Sequence, residues 1–222
     1  LEGITEGKIV LTQFMEEGAE ADSADIVDGH FVLEANFPEP THVMLMVEDK
    51  QIPIYFYAEN AAMTITGHAD TLYRAKIVGG EVNDDERMFR DQTGGLYTKY
   101  GLDSLYKVYN ETKNDEIMVE INAAREKMDI EIEQIEKDSI KENSGAFYSA
   151  ILAKQMSFGL SAEEIGDIIS QLDPELQESD LIQGVADEME MLKQTDVSVG
   201  SFTNAVADVS YMVDESYPGD AH

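Results

Sequence analysis

The sequence predicts an α+β protein, with an N-terminal antiparallel β-sandwich or open barrel followed by an all-helical unit. Three observations carry that reading. Up to Gly80, short apolar runs are separated by turn signals, with no helix-length pattern between them. Beyond Gly80, apolar residues recur at spacings of three and four, the period of an amphipathic helix. The last 26 residues then contain no Lys or Arg. The chain accordingly divides into a β domain over 1–82, a helical connector over 83–196 and an acidic tail over 197–222. Its 222 residues suit one or two domains, and an apolar fraction of 43% is enough for a core.

The β elements follow in order. Lys8–Met15 is the first apolar run, and a loop of small and acidic residues follows it through Asp22-Ser23. Asp28-Gly29 lies between Ile26-Val27 and Phe31–Ala35, a two-residue hairpin signal because both positions accept φ > 0. Phe37-Pro38-Glu39-Pro40 interrupts the pattern, since proline has no ladder donor. Thr41–Val47 and Gln51–Ala58 are strands joined by Glu48-Asp49-Lys50. Met63–Thr66 and Ala75–Val78 complete about seven short strands, closed by Gly79-Gly80.

In the helical part, Asn83 and Glu86 have capping-box spacing, and Asp84 and Asp85 favour a helix N-terminus. Met88 and Phe89 begin a stripe that Gly94-Gly95 kinks or breaks. Ile117, Ile121, Ala124, Met128, Ile132 and Ile135 mark a long amphipathic helix, and Phe147, Ala150 and Ile151 mark another. Ser161 and Glu164 form a second capping box before Ile165 and Ile168. Asp173-Pro174 opens a short helix, and Leu181, Val185, Met189 and Leu192 form the last stripe. Ala207, Val209, Tyr211 and Val213 alternate with polar residues, as a strand added to a sheet edge would.

Composition removes several functions. With 46 acidic residues against 15 basic ones, the net charge is −31, which excludes phosphate-neutralising contacts with nucleic acid and docking on anionic lipid. The acids outnumber the bases 20 to 7 over residues 1–106, 22 to 8 over 107–196 and 4 to 0 beyond, so no single segment holds the acidity. The absence of cysteine removes disulfides, thiolate nucleophiles and thiolate metal ligands from this chain. No apolar run is long enough for a spanning helix. The first residue is Leu1 rather than Met, so the expectation is a processed chain whose signal or lipid anchor precedes it.

Candidate sites are few. His30, His42 and His68 show neither HxH nor HExxH spacing, and read as satisfied or surface histidines with no metal. Asp22, Asp25 and Asp28, and the run Asp84-Asp85-Glu86, do not match a calcium loop and read as solvated loops and a helix start. Tyr55 and Tyr57 share one strand face. With Phe56 between them they read first as half-buried sheet residues; should both project outward, they are the candidate platform for a ligand or partner. No nucleophile elbow, phosphate loop or dinucleotide fingerprint is present, and no cofactor is implied. A hydrolase built on paired carboxylates would need a cleft with two facing acids.

Several motifs occur in a telling order: Asp22-Ser23, Asp28-Gly29-His30-Phe31, Tyr57-Ala58-Glu59-Asn60 before Met63–Gly67, and Gly79-Gly80 running into Asn83-Asp84-Asp85. Lys141-Glu142-Asn143-Ser144 and Leu172-Asp173-Pro174-Glu175-Leu176 follow. Over about residues 3–200 the set resembles the domain of unknown function and helical connector that precede thioredoxin-like domains in Bacteroides-type thiol:disulfide oxidoreductases. The departure lies after Val199-Gly200. There Ser201-Phe202-Thr203-Asn204 replaces the family's Ala-Pro-Asp-Phe, and no CxxC follows. The resemblance therefore implies context rather than activity. It points to a non-catalytic accessory or scaffold module of a cell-envelope lipoprotein, on the periplasmic or surface side, with a thioredoxin-like domain or a second copy as partner. The alternative is a stand-alone envelope lipoprotein that binds a small ligand or glycan on its sheet face.

Overall fold

The computed structural model describes residues 1–14 and 20–195. Strands β1 (Glu6–Gln13), β2 (Glu20–Val27), β3 (Thr41–Val47) and β4 (Ile54–Ala58) form an antiparallel sheet in the order β2-β1-β3-β4. Strands β5 (Thr64–Thr66) and β6 (Lys76–Val78) pair in a separate two-stranded ribbon. Alternation decides which face is buried. Ile9 and Leu11, Ile26, Val43, Leu45 and Val47, and Ile54, Phe56 and Ala58 all lie on one side of the large sheet. That side is covered by Ile4, Phe37, Leu72 and the ribbon residues Ile65 and Ile77. The α+β class, an antiparallel sheet ahead of helices, is therefore observed, with a ribbon and coil as the second layer.

Three strand expectations change. Asp28-Gly29 does form the tight turn, with φ of 52° and 79° and reciprocal Val27–His30 backbone bonds of 2.9 and 3.0 Å. Phe31–Ala35, however, is not a strand. Phe31 and Leu33 pack against the core, while the Glu34 N–H donates to the Asp22 carboxylate at 2.7 Å in place of a ladder carbonyl. Conversely, within the expected loop, Glu20 through Ser23 belong to β2. Small and acidic residues suit an edge strand, because charge on an open edge discourages further pairing. Strand β4 begins at Ile54 rather than Gln51, immediately after Pro53, which has no N–H to give. Six strands result among the described residues, not seven.

The change from strand to helix falls between Val78 and Glu81. Helices α1 (Glu81–Thr93), α2 (Leu96–Lys99), α3 (Leu102–Thr112) and α4 (Asp115–Glu142) come first, and the Gly94-Gly95 break separates α1 from α2. Helices α5 (Phe147–Met156), α6 (Ala162–Ile169), α7 (Pro174–Gln177) and α8 (Asp180–Thr195) follow. By compactness the chain forms two units that divide inside α4, the first ending at Asp129 and the second beginning at Ile130.

In the second unit α5 is central. Tyr148, Ala150, Ile151, Leu152, Ala153 and Met156 are buried around nearly its whole circumference, against α6, α7 and α8. Such a helix needs apolar residues on every side, as this one has. Ile165 and Ile168 of α6 and Ile182, Val185 and Met189 of α8 complete this core. The Ser161–Glu164 capping box is fully made, with Glu164 N–H donating to Ser161 Oγ at 3.3 Å and Ser161 N–H to Glu164 Oε2 at 2.9 Å. The strand expected around Ala207–Val213 lies outside the described residues.

Candidate functional site

The pleat that buries Phe56 turns Tyr55 and Tyr57 to the other face of the sheet, so the two tyrosines do share a face. Register places Tyr57 opposite His42 and Tyr55 opposite Met44. Phe14, just past β1, completes a cluster about the His42 ring. Ring centroids lie 4.8 Å from Phe14 to His42, 5.0 Å from His42 to Tyr57 and 5.9 Å from His42 to Tyr55. Phe14 meets Tyr55 edge-on at 5.5 Å. Burial among these rings lowers the His42 pKa, since the imidazolium loses its hydration.

The two tyrosines differ in surroundings. Tyr55 is 46% exposed beside Met46 at 39%, whereas Tyr57 is half-buried. Burial raises the Tyr57 phenol pKa, helped by the Glu86 carboxylate and opposed by Arg90. Tyr57 is thus a neutral hydroxyl at the foot of α1, and Tyr55 with Met46 is the accessible part of this face.

The residues that carried the family resemblance occupy a different place. Two of its motifs, Tyr57-Ala58-Glu59-Asn60 and Gly79-Gly80 with Asn83, form the junction between β4 and α1. Strand β4 is one of the sheet's two edges, so the outward backbone groups of Tyr57 have no strand partner. Asn83 supplies one. Its Nδ2 donates to the Tyr57 carbonyl at 2.7 Å, and its Oδ1 accepts from the Tyr57 N–H at 2.9 Å. Asn83 is only 6% exposed and lies inside α1, so it is not the helix N-cap that its spacing to Glu86 suggested. Glu59 takes that role from the end of β4, its carboxylate accepting from the Glu81 and Val82 N–H groups at 3.0 Å each. A carboxylate at an N-terminus also complements the helix dipole.

Gly79 and Gly80 make this approach possible. Their φ values of 94° and 89° lie in the left-handed range. A Cβ on Gly79 would run into the Ala62 carbonyl, and one on Gly80 into the Glu59 carboxylate. Asn60 repeats the amide device at another point, its Nδ2 donating to the Phe37 carbonyl at 2.6 Å and its Oδ1 accepting from the Phe37 N–H at 3.1 Å. In the second unit the two later motifs also meet. Ser144 Oγ donates to Asp173 Oδ1 at 2.6 Å, and the Asp173 N–H donates to the Ser144 carbonyl at 3.0 Å. Asp173 precedes Pro174 as expected, but its carboxylate serves Ser144 and makes no capping bond to α7.

The remaining candidates are dispersed. His30 closes the Asp28-Gly29 turn, His42 sits in the aromatic cluster, and His68 lies 3.6 Å from Asp70 at the surface. Asp22 accepts from the Ser23 and Glu34 N–H groups, and Asp25 faces Lys8 across the β1–β2 ladder. Asp84 pairs with Arg87 and Glu86 with Arg90 along α1. Burial raises the Asp85 pKa, with Glu81, Asp84 and Glu59 adding to the effect. Among the described residues no three His, Asp or Glu side chains converge as ligands of one ion, and no helix is long and apolar enough to cross a membrane.

These features define an α+β protein whose sheet edge is closed by its own first helix. Residues 1–86 match the family model described as a domain of unknown function (DUF4369). The matched stretch extends past Val78 into α1 and so includes Glu59, Gly79, Gly80 and Asn83, the parts of the junction. No match was found among curated proteins or among solved structures.

Proposed function

We propose that this chain is a non-catalytic accessory module of a cell-envelope, thiol:disulfide oxidoreductase-like lipoprotein, where it positions a thioredoxin-like domain or associates with itself. One observation carries the reading. The polar residues at the centre of its motifs, Glu59, Asn60, Asn83, Ser144 and Asp173, hydrogen-bond to the protein itself and hold elements together. Chemistry on a substrate would call on such groups to face the substrate. One surface available to a partner is the outer sheet face around Tyr55 and Met46, an apolar area on a highly acidic molecule.

The test joins the chain to a CxxC thioredoxin-like domain encoded in the same reading frame or a neighbouring gene. The chain alone should reduce no disulfide substrate. The pair should bind by calorimetry, and Tyr55→Ala with Met46→Asp should weaken that binding at least tenfold without unfolding the chain. Failure of the pair to bind, or a genome with no CxxC domain nearby, overturns the proposal. A second reading, a small ligand or glycan on the same face, is favoured by the four-ring cluster of Phe14, His42, Tyr55 and Tyr57. It requires a rise in Tm with some oligosaccharide, because binding to the native state stabilises it.

A further inference from the structure

The geometry points to a concealed interaction surface. We propose that the β4 edge is a strand-addition site for the β4 of a second copy, and that the first turn of α1, hung on Asn83 and Glu59, is the guard that closes it. In an antiparallel ladder alternate residues direct their N–H and C=O groups to opposite sides. The Tyr57 groups point away from β3, to Asn83, so those of Tyr55 point the same way and those of Phe56 face Val43. The β4 edge therefore offers two outward backbone pairs, at Tyr55 and Tyr57, two residues apart.

That arrangement is self-complementary. A second β4 running antiparallel about a two-fold axis at Phe56 sets Tyr55 against the partner's Tyr57, and Tyr57 against the partner's Tyr55. Each such pair makes two backbone hydrogen bonds. The same register sets Ile54 against the partner's Ala58 and Glu59 against the partner's Pro53, so no like charges meet. The segment Ile54-Tyr55-Phe56-Tyr57 is rich in residues that favour strands. Every pair in this ladder requires a Tyr57. Asn83 occupies both of its backbone groups, so the interface is blocked while the first turn of α1 stays in place.

The guard is anchored from two sides. Asn83 holds Tyr57, and Glu59 holds the N–H groups of Glu81 and Val82, which keeps the first turn of α1 against the edge. For a second strand to enter, that turn must leave. Pro53, which has no donor, ends the edge on the other side. At Tyr57 the guard thus supplies what bulges and charges supply at other sheet edges.

The experiment uses the full chain and two variants, Asn83→Ala and Asn83→Asp. Association is read by light scattering after gel filtration, and edge protection by amide hydrogen exchange. In the unaltered chain Tyr57 N–H should exchange more slowly than Tyr55 N–H, and the mass should be that of one chain. Asn83→Ala should shift to the mass of two chains, and its Tyr55 N–H, then paired with the partner's Tyr57 carbonyl, should exchange at least tenfold more slowly than in the unaltered chain. Asn83→Asp separates the guard from general charge effects. Its carboxylate, beside Glu59 and with Glu81, Asp84 and Asp85 nearby, can accept from Tyr57 N–H but cannot donate to the Tyr57 carbonyl until protonated. It should therefore be two chains at about pH 8 and one chain at about pH 3.5, below the ordinary Asp pKa of about 3.9. Simple repulsion predicts the opposite trend, because acid lowers the net charge of −31 and favours association. Folded variants that stay monomeric throughout, or a Tyr57 amide no better protected than Tyr55, overturn the proposal. If Asn83→Ala does not fold, Asn83→Asp at the two pH values decides.

Discussion

Asn60 and Asn83 use the same side chain for the same purpose, each giving one donor and one acceptor to a single backbone residue. Their surroundings differ, and that difference sets what each is worth. Asn83 is nearly buried, so truncation leaves the Tyr57 groups without water, a loss of about 2–3 kcal/mol. Asn60 is exposed, so although Phe37 is itself buried, removing the Asn60 side chain opens a path for water to the Phe37 backbone groups. Asn60→Ala should therefore cost only about 1 kcal/mol in urea unfolding. A loss as large as that of Asn83→Ala would mean that Phe37 is sealed from water. Neither role is visible in local sequence, because Phe37 is 23 positions from Asn60 and Tyr57 is 26 from Asn83. Spacing pointed Asn83 toward Glu86, whereas the fold placed it beside a strand that had no neighbour.

At the scale of elements, periodicity located the helices well and polar composition misled about strands. The stripe from Ile117 to Ile135 became part of α4, and Ser161 with Glu164 became the capping box of α6. Strand β2 was hidden because an edge strand has water on one side and accepts Asp22, Ser23 and Asp25. Phe31–Ala35 looked like its hairpin partner, but β1 took that place. Helix α4 also holds a titration that no pattern reveals. Burial pushes the Glu136 carboxyl up to about 7, with Glu133 adding to the effect and Lys137 opposing it. The folded state then binds a proton that the unfolded state has released, so stability falls as pH rises from about 4.5 to about 7. Glu136→Gln should flatten that slope and raise stability near pH 8 by on the order of 2 kcal/mol. Urea unfolding at a series of pH values measures it, and an unchanged slope would place the proton elsewhere.

For the molecule as a whole, the excess of acid is the dominant electrostatic fact. The ion pairs of Arg87 with Asp84, Arg90 with Glu86 and Lys137 with Glu133 are all within one helical turn. Exposed pairs of this kind are worth a few tenths of a kcal/mol each. They offset little of the repulsion produced by a net charge of −31. Salt should therefore stabilise the chain. Calorimetry should find Tm rising by several degrees as ionic strength increases from about 0.01 M to about 0.2 M, over which the screening length falls from roughly 30 to under 10 Å. A Tm that does not move would mean the acids are held by compensating contacts.

The sequence by itself determined the α+β class, the change from strand to helix near Gly80, the shared face of Tyr55 and Tyr57 and the lack of cysteine in these 222 residues. Those follow from local period and composition, which act over a few residues and need no knowledge of the rest of the chain. Tertiary structure alone decided what the motif residues are for. A carboxylate caps a helix or an amide completes a strand only when folding brings a distant backbone within 3 Å, and no local pattern encodes that meeting.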